Sequence, residues 1–454
     1  MPACWRSLSL RVLWGVVLAW WLPQEVLAQQ PVGPSRVAIR AARLFDGKNA
    51  KLLTDAVVLV EANRIKAVGS KLTIPEGTQV IDLGDVTLLP GLIDVHSHLL
   101  LSDDIAQGPD SLEVTVARLS TAERALLGVK LGREVLEVGF TTVRDVGNSG
   151  VNGDVALRNA IQKGWVEGPR ISACTRALAP HGGQFGRLQP GAQALIEQEY
   201  VSIAGADEAR RAVRQAVYDG ADCIKVIGDN GYNVLSEEEL KVIVEEAHRV
   251  KRPVAVHTTK DESIRAAVAA GVDSIEHGYS LPEDVLTPMA RKRIFLVSTY
   301  GSVEQCEDLD TMPGDEAMKR ARKERCRKAT EQGHAQLRRA VAAGVRVAVG
   351  SDSYTEVPGK TRGDSTLTYL LAYGEAGLSA VDVLRAATSS AAELLRVQDR
   401  LGSLEAGKLA DVIAVKGDPM KDLSALRQVR FVMKDGKVVV APVEEARQVT
   451  APAH

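Results

Sequence analysis

Two histidines, His96 and His98, stand one residue apart at the end of the apolar stretch LLPGLIDV. Side chains at alternate positions of a β-strand point to the same face, so the two imidazoles are predicted to lie side by side. Imidazole nitrogens are common ligands of Zn²⁺, and two on one face can hold one divalent ion. Taken alone, the pair is also compatible with two polar residues that close a buried strand.

Three further residues with metal-binding side chains occupy equivalent places along the chain. His257 ends the run PVAVH, His277 ends DSIEH, and Asp352 ends VRVAVGSD. In a parallel barrel the carboxyl ends of the strands meet at one mouth, where active sites are built. Four histidines and one aspartate at such positions predict a metal centre, because one buried histidine is common and four equivalent ones are not.

Lys225 lies inside another apolar run, DCIKVIG. Burying a charged amine is costly, and a buried lysine readily loses its proton. A neutral amine can react with carbon dioxide to form a carbamate, whose two oxygens could bridge two metal ions. The alternative is a lysine that reaches solvent at the strand end, and beside the histidines the bridging role is favoured.

These residues need a scaffold that brings strand ends together. Short apolar runs alternate with amphipathic stretches from residue 88 onward, and a capping box at Ser236 and Glu239 opens one predicted helix. Such β/α units predict a parallel barrel. Eight runs carry the pattern: GLIDVHSH, FTTVRDVG, RISACT, DCIKVIG, PVAVHTT, DSIEHG, IFLVST and VRVAVGSD. Short strand-like segments separated by turn residues occur before and after these eight runs. They predict a small β-domain built from both chain ends.

The first 28 residues differ from the rest of the chain. Arg6 and Arg11 precede an apolar run of 11 residues, and Ala28 offers a small residue for cleavage. This pattern predicts a secretory signal peptide, with an uncleaved membrane anchor as the alternative. We therefore expect an exported protein, periplasmic or secreted, with no stable membrane anchor after cleavage. The formal net charge of −2 does not suggest a nucleic-acid-binding protein.

The expected export bears on the state of the cysteines, since exported proteins can keep disulfides. Cys306 and Cys326 lie in one polar, charged region and are predicted to pair, with two separate thiols as the alternative. Cys174 and Cys223 lie in apolar, strand-like segments and are predicted to be buried thiols. His248, His334 and His454 are predicted to be surface residues.

The ordered motifs resemble the amidohydrolase superfamily, in its imidazolonepropionase-like and Xaa-Pro dipeptidase-like branch. They cover about residues 37–440: PGLIDVHSH, GFTTVRDVG, GADCIKV, PVAVHT, GVDSIEHG, VGSD and GSLEAGKLADVIAV. The resemblance implies an α/β fold, a distorted (β/α)8 TIM-like barrel with a composite β-sandwich. We expect a signal peptide at residues 1–28, the sandwich at 29–86 and 400–446, and the barrel at 87–399.

The resemblance also implies a binuclear site, with zinc as the expected metal. His96, His98 and Asp352 would hold one ion, and His257 and His277 the other, with N6-carboxylated Lys225 as the bridge. A bridging hydroxide would attack the carbonyl carbon, since metal binding lowers the pKa of water. Asp352 is placed to take its proton and pass it to the leaving amine.

Substrate contacts are expected from three loop residues. His181 lies in the glycine-rich APHGGQFG, where similar proteins have a histidine–glycine segment, and Arg187 could meet a substrate carboxylate. Tyr232 could hydrogen-bond the developing oxyanion. For His181 and Tyr232 a plain loop role is the alternative, and the loop around Tyr232 is shorter than in many relatives.

The leading functional hypothesis is hydrolysis of an amide bond that releases a C-terminal amino acid. Dipeptides, including Xaa-Pro, and N-acyl amino acids of the ochratoxin type are the expected substrate class. A cyclic-amide, lactone or deaminase activity on the same metals is the second hypothesis, and a non-catalytic exported binding scaffold is the third. The resemblance is also compatible with a homo-oligomer, because relatives form assemblies.

Overall fold

The computed structural model of the chain describes residues 36–104 and 112–441. The predicted signal peptide and His454 lie outside these residues. The strands are β1 Arg36–Leu44, β2 Leu53–Glu61, β3 Arg64–Ser70, β4 Gln79–Asp82, β5 Val86–Pro90, β6 Leu92–Ser97, β7 Asp103–Asp104, β8 Phe140–Asp145, β9 Arg170–Ala173, β10 Ala177–Ala179, β11 Tyr200–Ser202, β12 Ile224–Ile227, β13 Val254–Thr258, β14 Ser274–His277, β15 Phe295–Val297, β16 Arg346–Val347, β17 Thr355–Glu356, β18 Val412–Lys416, β19 Val429–Lys434 and β20 Lys437–Val440.

The helices follow the barrel strands along the chain. They are α1 Leu112–Arg118, α2 Thr121–Glu137, α3 Gly153–Gln162, α4 Gln193–Glu199, α5 Ala206–Tyr218, α6 Glu237–Arg249, α7 Asp261–Ala270, α8 Glu283–Lys292, α9 Val303–Asp308, α10 Glu316–Ala342, α11 Arg362–Glu375, α12 Ala380–Ala386 and α13 Ser389–Leu394. The capping box predicted at Ser236 and Glu239 is present at the start of α6. Among the described residues, we find no helix with the length and apolar character needed to cross a membrane.

Eight parallel strands form the predicted barrel, which is confirmed. Strands β6, β8 and β9 pair in one sheet, and β12 to β16 pair in another. Backbone hydrogen bonds join the two sheets on both sides, from Asp222 N to Ala173 O (2.7 Å) and from Val95 N to Val349 O (2.9 Å). The residues of β6, β8, β12 and β14 are all buried, including the polar and charged side chains that alternate there with apolar ones.

The Asp94 carboxylate fastens the first barrel strand to the last. It accepts hydrogen bonds from the backbone N–H of His96 (3.0 Å) and from the backbone N–H (3.0 Å) and hydroxyl (2.6 Å) of Ser351. Burial raises the pKa of Asp94 to about 6, although these hydrogen bonds oppose the shift. These hydrogen bonds hold the segment around Asp94 against the segment around Ser351, although 257 positions of sequence separate the two residues.

Both ends of the described chain contribute to one further sheet. Strands run in the order β20, β19, β18, β5, β1, β2, β3, and β4 pairs with β1. Its core includes Ile39, Val58, Leu88, Val412 and Phe431, all buried. Most strands of this sheet lie in the segments in which the sequence predicted the β-domain, but β5 extends from Val86 to Pro90, past residue 86. The domain boundaries stay predictions.

Two disulfides are present among the described residues. Cys306 in α9 bonds Cys326 in α10, which confirms the predicted pair. The prediction for Cys174 and Cys223 was wrong, because these buried residues also form a disulfide. Cys174 follows β9 and Cys223 precedes β12, and the backbone hydrogen bond from Asp222 N to Ala173 O holds the two segments together although 49 positions separate the cysteines.

Two histidines predicted to be surface residues are less exposed than expected. His334 is only 6 % exposed, on the inner face of α10, and its Nε2 lies 3.1 Å from the carbonyl oxygen of Gly301. His248 is half-buried, with its Nε2 2.7 Å from a carboxylate oxygen of Asp273. For His334 the surface prediction was wrong, because the polar composition of α10 concealed which face packs inward.

Replacing both Cys306 and Cys326 by serine is expected to lower the free energy of unfolding by about 3 kcal/mol, because a disulfide across 20 residues restricts the unfolded chain. Urea unfolding under non-reducing conditions measures the change. Peptide mapping of the parent protein provides the control that the bond is formed. An unchanged midpoint in the double variant would show that this disulfide does not stabilise the fold.

Candidate metal centre

The six predicted metal ligands come together at the carboxyl ends of the barrel strands. They line one cavity of about 320 Å³. The strands place Lys225 on β12, His257 on β13 and His277 at the end of β14. The six are His96, His98, Lys225, His257, His277 and Asp352.

Asp352 stands at the middle of this group. Its Oδ1 lies 3.2 Å from Nε2 of His98 and 3.5 Å from Nε2 of His96, and its Oδ2 lies 3.7 Å from Nδ1 of His277. One ligand atom each from His96, His277 and Asp352 falls within 4.8 Å of the others. His257 extends the group, since its ring centroid lies 4.5 Å from that of His277.

The imidazoles are oriented by hydrogen bonds on their far nitrogens. Nδ1 of His96 donates to Oε2 of Glu276 (2.6 Å), and Nδ1 of His98 donates to the carbonyl oxygen of Gly147 (2.7 Å). A proton on Nδ1 leaves the lone pair of Nε2 free to bind a metal, and such partners fix the ring and raise its basicity. The nitrogens and carboxylate oxygens that face each other here fit a divalent cation such as zinc.

Glu276 is itself held by a buried arginine that the sequence interpretation missed. Arg144 donates to Oε1 of Glu276 (2.7 Å) and to the carbonyl oxygen of Val95 (2.5 Å), and both charged side chains are 0 % exposed. A buried charge pair is tolerated only when its hydrogen bonds are satisfied. The signal was available, since the charged Arg144 and Glu276 lie inside two of the predicted barrel strands, β8 and β14.

Burial also keeps most of these imidazoles neutral. It lowers the pKa of His96 and of His277 well below the usual value, and it lowers the pKa of His257 to about 4. Burial acts in the same direction on His98, but its contact with Asp352 outweighs burial and raises the pKa of His98. Neutral imidazole is the form that binds a metal. The rings of His96, His257 and His277 are therefore already in that form near neutral pH.

Among the described residues that line the cavity, Lys225 carries the one amine, and it is only 3 % exposed. Burial lowers its pKa to about 8, although the carboxylates of Glu276 and Asp352 act in the opposite direction. An appreciable fraction of the amine is therefore neutral at mildly alkaline pH. The alternative of a side chain that reaches solvent does not fit this burial.

The backbone is strained at two of the six positions. His277 has φ of 67° and Asp352 has φ of 51°, a region that residues other than glycine seldom occupy. Such strain concentrates at functional sites, where the surrounding structure imposes it. Next to Asp352, Gly350 packs against the first strand, because a Cβ there would lie 2.6 Å from Cβ of His96.

The three predicted substrate residues lie elsewhere. His181, Arg187 and Tyr232 line a neighbouring cavity of about 520 Å³, and Tyr232 is 64 % exposed. Asn230 joins the two loops, since its Nδ2 donates to the carbonyl oxygens of His181 (3.2 Å) and Gly183 (2.8 Å). None of the three lines the metal cavity, so their substrate roles stay predictions.

Other side chains that line the metal cavity were not predicted from the sequence. They include Asn148, Gln184, Tyr279 and Tyr354. Each of the two tyrosines follows a predicted ligand by two residues, in HGY and DSY. That spacing was the signal, because a residue just beyond a strand end remains at the mouth of the barrel.

Comparison with known proteins now defines the family. The Amidohydrolase family model matches residues 87–439. This chain belongs to the amidohydrolase family. It is therefore an enzyme, a hydrolase that acts on amide bonds, and amidohydrolases generally use metal ions.

Individual relatives support the same assignment. Ochratoxinase of Aspergillus niger is 30 % identical over 90 % of this chain and 88 % of its own length. Imidazolonepropionase of Micrococcus luteus is 25 % identical over 80 % of this chain and 88 % of its own. A solved structure of an Xaa-Pro dipeptidase with bound methionine in its active site is 30 % identical in sequence and has a TM-score of 0.76. The match covers 90 % of this chain and 100 % of that one.

Gly350→Ala is expected to disturb the metal centre, because the new methyl group must displace His96 or Val297. Overpacking of this kind costs about 1–3 kcal/mol. We expect less bound zinc after dialysis and a lower melting temperature. Gly191→Ala is the control, since a Cβ at Gly191 meets nothing within 4 Å. Equal zinc content in the two variants would show that the close approach at residue 350 does not position His96.

Proposed function

We propose that this enzyme is a binuclear metal-dependent amidohydrolase that cleaves the amide bond to a C-terminal amino acid. The substrates would be dipeptides or N-acyl amino acids. The observation that carries the proposal is the convergence of four histidines, Asp352 and the buried Lys225 in one cavity. The similarity to an ochratoxinase and to an Xaa-Pro dipeptidase supports the class of bond.

The proposed ligand sets are those that the family resemblance implies. His96, His98 and Asp352 would hold one cation, and His257 and His277 the other, with Lys225 between them. His277 also lies close to Asp352, so the two sets adjoin. Two divalent cations held by these residues would supply Lewis acidity and would lower the pKa of a bound water.

We propose that Lys225 carries a carboxyl group. Its neutral Nζ attacks the carbon of carbon dioxide, a nitrogen–carbon bond forms, one carbon–oxygen π bond opens, and Nζ releases a proton. The product is a carbamate with one negative charge on two oxygens. The pKa of about 8 supports this reaction, because it makes the free amine available at far lower pH than an exposed lysine would.

Asp352 is the proposed proton carrier. Burial acts to raise the pKa of Asp352, but the nearby His96 and His98 outweigh burial and hold that pKa below its usual value. The side chain is therefore a carboxylate at neutral pH. It accepts the proton of the attacking water and donates it to the nitrogen of the departing amino acid.

The neighbouring cavity is proposed to receive the amino-acid half of the substrate. Gln184 lines the metal cavity and Phe185 lines the neighbouring one, so this loop borders both. Arg187 is exposed, and we find no ion pair to it among the described residues. An exposed guanidinium can bind a carboxylate through two hydrogen bonds. His181 and Tyr232 line the same cavity as Arg187.

We also propose that the enzyme works outside the cytoplasm. The basic and apolar start of the sequence supports export. Two disulfides among the described residues support an oxidising compartment, since such bonds persist there.

A screen of dipeptides and N-acyl amino acids against the zinc-loaded enzyme tests the reaction. Free amino acid is expected among the products, detected by mass spectrometry. Cyclic amides, lactones and aminated heterocycles form a second panel. Turnover of that panel alone would refute the proposal and favour the second functional hypothesis, while inactivity on both panels would favour a binding protein.

Asp352→Asn is expected to lower kcat by about 10²–10⁴-fold, because an amide cannot carry the proton. The change conserves size, so circular dichroism and the melting temperature should stay close to those of the parent. Steady-state kinetics with the best substrate of the screen measure the loss. Near-normal kcat in this variant would remove Asp352 from proton transfer.

Lys225→Ala is expected to abolish activity and to reduce the bound metal from two ions per chain. Labelling with ¹³C-bicarbonate above the lysine pKa of about 8 should give a carbamate signal by NMR in the parent only. Lys292→Ala is the control, since Lys292 binds two backbone carbonyl oxygens on α7, far along the chain from β12. Two metals per chain in Lys225→Ala would contradict the bridging role.

A further inference from the structure

Arg362, the first residue of α11, is a buried arginine whose guanidinium has no carboxylate partner. It is 4 % exposed, and we find no ion pair to its side chain among the described residues. The other two buried arginines of the described chain differ from it, since Arg124 pairs with Glu199 and Arg144 pairs with Glu276. Burying a charge is unfavourable unless hydrogen bonds and partners compensate for it. The contacts of Arg362 therefore indicate what this buried charge holds.

The guanidinium binds two loops at the mouth of the barrel. Its Nη1 donates to the carbonyl oxygens of His98 (3.3 Å) and Ser353 (2.9 Å). Its Nη2 donates to the carbonyl oxygen of Leu101 (3.1 Å) and to the hydroxyl oxygen of Ser102 (3.3 Å). One planar cation is thereby hydrogen-bonded to three backbone carbonyl groups, and such charge-assisted bonds are stronger than those between neutral groups.

Both loops carry proposed metal ligands. The first loop follows β6 and contains His98, whose own carbonyl oxygen is one of the acceptors. The second loop follows β16 and contains Asp352, directly before Ser353. Oδ1 of Asp352 lies 3.2 Å from Nε2 of His98, so a movement of either loop changes that distance. Arg362 thus joins the backbone of a ligand from the first barrel strand to the backbone next to a ligand from the last.

The backbone of Arg362 is fixed independently of its side chain. Its N–H donates to Oε2 of Glu134 on α2 (2.8 Å). A capping box between Thr361 and Asp364 begins α11 at this point. The next residue, Gly363, packs closely on α2, because a Cβ there would lie 2.3 Å from the carbonyl oxygen of Glu134. The guanidinium therefore extends from a rigid helix start and can determine where the two loops lie.

We propose that Arg362 is a positioning residue for the metal centre, which holds the loops of His98 and Asp352 at the separation that one shared cation requires. This inference rests on the proposed metal centre and does not depend on which bond the enzyme cleaves. The planar fork of an arginine binds several acceptors in fixed directions, and the ammonium of a lysine cannot reproduce that geometry. Replacing a residue that supports metal ligands commonly weakens metal binding by about 10–100-fold.

Zinc-dependent stabilisation distinguishes positioning from a purely structural role. A ligand that binds only the folded chain raises the melting temperature, and the increase grows with its affinity. The melting temperatures of the full-length parent and of Arg362→Lys are measured after EDTA treatment and again with the same excess of free zinc. We expect a smaller zinc-dependent increase in Arg362→Lys, and a zinc titration should give a Kd about tenfold higher than in the parent.

Arg170→Lys is the matched control, since it makes the same substitution at a largely buried arginine away from the ligands. Arg170 begins β9, and its guanidinium bridges Asp411 (2.7 Å) and Asp435 (2.5 Å). This control is expected to lower the melting temperature equally with and without zinc and to keep the Kd for zinc. Equal zinc-dependent increases in the two lysine variants would overturn the positioning role of Arg362.

Arg362→Ala tests the same role through the geometry of the bound metal. Cobalt replaces zinc, and the visible absorption of cobalt reports the arrangement of its ligands. We expect an altered spectrum in Arg362→Ala that free guanidinium restores, at a concentration too low to unfold the parent. Urea at the same concentration is the control, because it is planar but carries no charge. A spectrum like that of the parent without added guanidinium would contradict the positioning role.

The outcomes separate this inference from the proposed function. Absence of any zinc-dependent increase in the parent would overturn the metal centre and this inference with it. An increase in the parent that Arg362→Lys retains in full overturns the inference alone. A smaller increase in Arg362→Lys than in Arg170→Lys supports the positioning role, even when the screen finds no dipeptide or N-acyl amino acid that is cleaved.

Discussion

Closure of the barrel is the constraint on which the metal centre depends. The Asp94 carboxylate binds the backbone of His96 and both the backbone and hydroxyl of Ser351. In the same place the N–H of Asp352 donates to the carbonyl oxygen of His96 (2.8 Å). Because the first and last strands meet here, an aspartate from the end of the barrel lies beside histidines from its beginning.

A second constraint is the burial of charge inside the barrel. Arg144, Glu276 and Lys225 are each nearly or fully inaccessible to water, which is costly unless every charge has partners. Arg144 and Glu276 satisfy one another and orient His96. Lys225 differs from them, because burial lowers its pKa and favours the neutral amine. Burial thus lowers the pKa of three of the four histidines as well as that of the lysine, and favours the neutral form of each.

Different loops at the rim of the barrel line the two cavities. Loops after the third and fourth strands carry His181, Arg187 and Tyr232 around a separate cavity. Loops after the sixth and eighth strands carry Tyr279 and Tyr354 into the metal cavity. The separation follows from the barrel itself, since each loop stays near the strand that it leaves. Variation in these loops can change the substrate while the strands keep the metal ligands in place.

The sequence predicted the barrel and the convergence of six side chains at its mouth, because strand ends are readable one segment at a time. Alternation along a strand places His96 with His98, and each apolar run ends in its own side chain. It did not predict the bond between Cys174 and Cys223, which depends on which strands are neighbours. It also missed Arg144 and Glu276, whose pairing crosses the barrel interior.

The sequence by itself therefore determined the kinds of chemical group at the mouth of the barrel, since local periodicity decides where a strand ends and which way a side chain points. Only the tertiary structure decided which groups meet. The distances from Asp352 to the histidines, the burial of Lys225 and the stacking of Tyr279 on His277 come from strand order and barrel closure. These contacts join residues far apart in the chain, so no local pattern encodes them.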